Sequence, residues 1–311
     1  MLRQPDRRQY QLDDVFEQLR QREASLSSQC APVNQTPNVE VSRYNFNAAF
    51  QEYRHILRLR EVRRSVNSDY LLNQPEIDGS HRSILVDWLV EVADEFQLST
   101  ETLFTSVDIC DRFLSVQNVR KDKLQLAGIA CMFLANKINC ADHRSVRDYS
   151  DICANTYTSN EILRMESVIC RNLEFNFSCT SSLSFLRLFC FAMNAPQKVF
   201  FLAAYLIELA LIDVQFLKYL PSKIASAALC LSQYACGDPS WSLVVFDNDR
   251  YNIHLLKDCM MDLYRTFQDA KYKNLAAVRE KFMRPRFRVE GGLMGIDEYV
   301  PEMNFACPFK V

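Results

Sequence analysis

The chain has 311 residues, 49% of them hydrophobic and 24% charged, with a net charge of −2. That is material for one large or two medium globular domains with true cores, and it excludes the strongly basic footprint of a nucleic-acid binder. The twelve cysteines (30, 110, 131, 140, 153, 170, 179, 190, 230, 236, 259 and 307) fall mostly in apolar helical patterns, and no two form a C-x-x-C pair. Neither a zinc site nor a disulfide framework is implied, so they are expected to be reduced thiols packing as small hydrophobes. The opening "MLRQPDRRQYQLDD" lacks an apolar leader core, and no apolar run reaches the about eighteen residues of a membrane span. A soluble, intracellular protein is expected.

Residues 1–43 are polar and rich in Gln, Ser and Arg, which predicts a disordered tail. Thr36-Pro37 within it has the form of a proline-directed phosphosite. From Tyr44 to about residue 283 the pattern is helical; the chain holds only six glycines and no alternating strand pattern, so the fold class is all-α. "AAFQEYRHILRLREV" (48–62) sets Phe50, Tyr53, Ile56 and Leu57 at helical spacing. "GIACMFLANKINC" (128–140) is a helix of small and apolar residues that ends on the charge of Lys137. "TYTSNEILRME" carries a capping box, Thr158 with Glu161, that starts a helix through Glu166. "YLPSKIASAALCLSQYACG" places Pro221 in the first turn of a helix and Gly237 just past its end.

The chain also repeats itself weakly. "LAGIACMFLAN" (126–136) and "IASAALCLSQY" (224–234) are both rich in small residues. Each follows an apolar helix with acidic residues, "TLFTSVDICDRFLS" and "AAYLIELALIDV", and precedes one ending in aromatics, "ILRMESVICRNLEF" and "LLKDCMMDLYRTF". A period near a hundred residues is too long for a solenoid and predicts two successive helical domains, each built on a small-residue helix.

"HRSILVDWLVEVADEFQLSTETLFTSVDICDRFLS" (81–115) resembles the opening of a cyclin box, whose family motif reads M-R-A-I-L-x-D-W-L-x-E-V followed by D-R-F-L-S. "LIDVQFLKYLPSKIASAALCLSQY" (211–234) is most similar to the A-type cyclins, with B-type as the near alternative. The resemblance implies two consecutive five-helix boxes: an N-terminal helix plus first box over 44–178, a second over 179–283, and an extension over 284–311. It implies a non-enzymatic subunit that activates a cyclin-dependent Ser/Thr kinase in cell-cycle control, in nucleus and cytoplasm. The subunit itself needs no cofactor.

Carried over residue by residue, the resemblance assigns Lys137 and Glu166 to gripping the kinase backbone. Tyr53, Ile56, Leu57, Phe175 and Phe177 are the apolar contacts around them. His81, Ile84, Leu85, Trp88, Glu91, Leu124 and Gln125 match a shallow groove for R-x-L peptides of substrates or inhibitors, and Arg82 with Asp111 match a structural ion pair. The chain departs from the pattern at His81, at "KINC" in place of K-F-E-E, at His143 and Arg144 in place of paired prolines, and at Ala154 in place of an acid. Two other readings stay open. A degenerate cyclin would bind a kinase without activating it, and a cyclin-box transcription scaffold would need a basic face.

Overall fold

The computed structural model describes residues 39–63, 66, 68–141, 143–237, 253–272 and 274–284. The expected tail up to residue 38, Thr36-Pro37 and the extension beyond residue 284 lie outside the described residues. The chain divides into two compact units between Arg60 and Glu61. Helix α1, Val39–Arg63, starts five residues before the Tyr44 read from the sequence.

The second unit follows the repeat seen in the sequence. Its first bundle is α2 (Gly79–Glu95), α3 (Thr100–Val116), α4 (Leu124–Asn139), α5 (Val146–Ile152) and α6 (Ser159–Asn172). The next comprises α7 (Ser182–Met193), α8 (Gln197–Ile212), α9 (Pro221–Ala235) and α10 (Ile253–Asp269), and a short α11 (Ala277–Phe282) ends the described chain. No strand occurs among the described residues, and no helix there is long and apolar enough to cross a membrane.

The small-residue helices occupy the centres. Every residue of α4 from Leu126 to Asn136 is buried, as is every residue of α9 from Ala225 to Gln233. Gly128 shows why small side chains are needed: a Cβ there would lie 2.6 Å from Leu85 Cδ1 on α2. Seven cysteines (110, 131, 153, 170, 190, 230 and 259) are free and buried as small hydrophobes. Burial pushes the thiols of Cys190, Cys230 and Cys259 up to about 12, so they are neutral and unreactive near pH 7.

Helix ends obey local chemistry where the sequence displayed it. Thr158 Oγ1 accepts from the Glu161 N–H at 3.3 Å, and the Glu161 carboxylate accepts from the Thr158 N–H at 3.0 Å. Pro221 opens α9, and Gly237 turns the chain away from it at φ 71°. One cap has no local signature. Glu61 accepts from Ser222 N–H at 3.0 Å and from its hydroxyl at 2.8 Å, closing an N-terminus that lacks a side-chain cap of its own. The positive end of the helix dipole favours that buried carboxylate.

Candidate functional site

The site at the end of α4 forms where the helix leaves the core. Asn136 is the last fully buried residue and donates to the Tyr149 hydroxyl at 2.9 Å. Lys137, in the next position, is 29% exposed, and its ammonium stands 4.4 Å from the Phe133 ring centre one turn back. That placement combines a cation–π contact with the negative end of the helix dipole. Across from it α6 presents Glu166, 12% exposed, and the two side chains form a direct ion pair. An ammonium has three donors and a carboxylate two acceptor oxygens. The pair therefore keeps two N–H groups and one oxygen for further hydrogen bonds.

Beyond Glu166 the end of α6 carries the aromatic pair. Phe175 is 70% exposed, and its ring lies edge-on to half-buried Phe177 at 6.2 Å. Tyr53, Ile56 and Leu57 sit at i, i+3 and i+4 on α1, within the unit that ends at Arg60. Tyr53 and Ile56 are half-exposed, whereas Leu57 is buried and offers no surface to a partner, a correction to its reading as a contact.

On α2, residues His81, Ile84, Trp88 and Glu91 recur at helical spacing along one face. Ile84 is 57% exposed, Trp88 half-buried and Glu91 exposed, with half-buried Gln125 at the start of α4. Leu85 and Leu124 are corrected: both are buried, and Leu85 lies against the backbone of Gly128, so they belong to the core rather than to an open groove. His81 has a role the sequence reading missed. Its backbone N–H donates to Asp78 Oδ1 at 2.9 Å, and its ring Nδ1 stands 2.7 Å from the same oxygen and 3.3 Å from the Asp78 N–H, forming a capping box at the start of α2. The His81 N–H and ring hold the Asp78 carboxyl below its usual range. The local signal was Asp-x-x-His, hidden because Glu or Gln usually fills the last position.

Arg82 and Asp111 join α2 to α3, and they do more. Arg82 Nε and Nη2 each donate to Asp111 at 2.7 Å, and Tyr70 adds a third bond to Oδ1 at 2.7 Å. Arg82 Nη1 also donates at 3.0 Å to the carbonyls of Leu211 and Ile212, at the end of α8 in the next bundle.

Residues 52–178 match the family described as "Cyclin, N-terminal domain", and residues 180–290 match "Cyclin, C-terminal domain". The chain belongs to the cyclin family. It is 37% identical to Cyclin-A2 of Xenopus laevis over 76% of this chain and 57% of that protein. It is 38% identical to the G2/mitotic-specific cyclin-A of Spisula solidissima over 81% of this chain and 57% of that one. With Cyclin-A2 of Homo sapiens the identity is 40%, over 74% of this chain and 54% of the relative. This cyclin thus spans little more than half the length of these A-type relatives. In fold it is similar to a viral cyclin from herpesvirus saimiri, with a TM-score of 0.63 and 22% identity over 68% of this chain and 95% of that one. A chain of the yeast RNA Pol II CTD kinase CTDK-1 complex shares the fold at a TM-score of 0.54 and 13% identity, over 78% of this chain and 86% of that one.

In this cyclin the helix that carries Ile84 and Trp88 is braced from behind by α11. Asp87 accepts from the Ala277 N–H at 3.1 Å and so caps α11 across 190 residues of sequence. Burial, reinforced by the nearby Glu91 and Glu280 charges and opposed by that N–H, lifts its carboxyl from 3.8 to about 6. A carboxyl raised on folding binds its proton more tightly in the native state, so its contribution is full below pH 4 and is lost as pH rises through about 6. Asp87→Asn keeps the acceptor oxygen and removes the charge. Relative to the native chain, the variant should gain about 2–3 kcal/mol of stability between pH 4 and pH 7.5. Urea unfolding of both forms at the two pH values measures this; a constant difference would contradict it.

Proposed function

We propose that this cyclin is a non-enzymatic regulatory subunit that binds and activates a cyclin-dependent Ser/Thr protein kinase in cell-cycle control, acting in nucleus and cytoplasm. The observation that carries the reading is the Lys137–Glu166 pair, half-open at the end of a buried helix and still able to donate and accept. Membership of the cyclin family and the A-type relatives support it. The rigid surface stabilises the kinase conformation whose C-helix glutamate meets the ATP-binding lysine, and ATP and magnesium belong to the kinase.

Lys137→Ala or Glu166→Ala should weaken kinase binding by about 2–4 kcal/mol, because a backbone-gripping group is lost from a desolvated interface and its partner is left behind. Co-precipitation and kinase activity are measured on variants whose melting temperatures match the native chain. Unchanged binding and activity in the double variant would reject the assignment. Intact binding by the native chain without activation would instead favour the degenerate cyclin, a reading kept by Asn139, whose amide is engaged with Thr105 at 3.2 Å.

The α2 face recruits substrates and inhibitors in this reading. Ile84 and Trp88 take the leucine of an R-x-L peptide, and Glu91 attracts its arginine. Trp88→Ala should lower phosphorylation of an R-x-L substrate at least several-fold while sparing a short peptide without the motif, since tethering raises only the local concentration. Equal losses on both substrates would show that Trp88 acts on the fold.

A further inference from the structure

The chain leaves α6 through a conformation that its side chains resist. Glu174 and Phe175 are consecutive non-glycine residues in the left-handed region, at φ 51° and 56°. Such geometry persists only where neighbours over-determine it, and it gathers at functional positions. Two backbone bonds hold the turn from within, Phe175 N–H to the Cys170 carbonyl and Asn176 N–H to that of Leu173, both 2.9 Å. A third restraint comes from outside. Arg112, on α3, donates from Nη2 to the Asn176 carbonyl, while its Nη1 is held by Asp108 at 3.2 Å one turn earlier.

The outcome is a phenyl ring left 70% exposed. An isolated chain gains nothing from that placement, because the same ring buried would be favourable. The turn follows directly on the helix that carries Glu166.

We infer that Arg112 is a positioning residue: through the Asn176 carbonyl it fixes the Glu174–Phe175 turn and so presents Phe175 as a preformed anchor for an apolar pocket on the bound kinase. The inference rests on the kinase-binding reading above and deepens it. Holding the anchor in its bound geometry beforehand removes part of the ordering cost of association.

A double-mutant cycle with a purified cell-cycle cyclin-dependent kinase, binding the full chain, tests this. Arg112→Ala is expected to raise the dissociation constant about tenfold in the native background and less than twofold once Phe175 is alanine. Arg112→Lys, which can still reach the carbonyl with one donor, restores most of the loss. Arg112→Met, keeping the aliphatic stem, replaces alanine should that variant not fold. Equal losses from Arg112→Ala in both backgrounds, or none in either, overturn the inference. If Lys137→Ala weakens binding and Phe175→Ala does not, the anchor is wrong while the kinase-binding reading stands. If neither does, both fall.

Discussion

Arg82→Ala should cost the folded chain about 3–5 kcal/mol, the loss expected when one partner of a buried ion pair is removed. Arg82 is 2% exposed and satisfies one carboxylate and two carbonyls at once. Burial opposes its charge, but Asp111 outweighs that and holds the guanidinium protonated beyond its ordinary range. Its loss leaves Asp111 in the core with Tyr70 as its one side-chain partner among the described residues, and leaves the last carbonyls of α8 with the Ser83 hydroxyl, 2.9 Å from Ile212 O. Because those carbonyls belong to the second bundle, the substitution also loosens one bundle from the other. Urea unfolding should therefore show a lower midpoint and a shallower slope than the native chain. A loss below about 1 kcal/mol would mean that water replaces the guanidinium without penalty.

What was legible in the sequence was local. The Thr158 capping box, Pro221 at the start of α9 and Gly237 at its end all follow from residues within a few positions of one another, and the twin small-residue helices announced the repeat. The Arg82–Asp111 pair was legible through family resemblance, but its reach to Leu211 and Ile212 was not. The same holds for Glu61 on Ser222 and Asp87 on Ala277, where 161 and 190 residues separate donor from acceptor and no spacing rule applies. Along α2 the sequence left the faces ambiguous: Leu85, Val86, Leu89, Val90 and Val92 are all buried, so apolar character surrounds most of the helix and periodicity could not separate core from groove. Arg112 escaped notice because its partner is a backbone carbonyl, and carbonyls leave no trace in a sequence.

The buried Lys281–Glu208 pair was likewise invisible, and it carries the second large effect. Lys281 Nζ donates to both Glu208 oxygens, at 2.8 and 2.7 Å, with the side chains 9% and 2% exposed. Helix α11 has only six residues, far too few to hold a helix by itself, so this pair and the packing of Phe282 on Tyr205 at 5.4 Å keep it in place. Glu208→Ala should cost about 3–5 kcal/mol, because it leaves the Lys281 ammonium in the core without this carboxylate, and Lys281→Ala should also destabilise the chain by removing the ammonium that donates to both Glu208 oxygens. The double variant Lys281→Met with Glu208→Leu should cost about 1 kcal/mol or less, since desolvation of both ions disappears together with their attraction. Urea unfolding of the three variants gives the coupling directly, and additive losses would show that the pair is not desolvated. Limited proteolysis supplies the structural readout. In the single variants α11 should detach and expose cleavage sites near residue 277, taking the Ala277 N–H away from Asp87 behind Trp88, while in the apolar double variant the helix should stay protected. Under the proposed reading of the α2 face, R-x-L peptide docking should weaken in the single variants and recover in the double, a result that would tie this distant ion pair to that face through the brace between them.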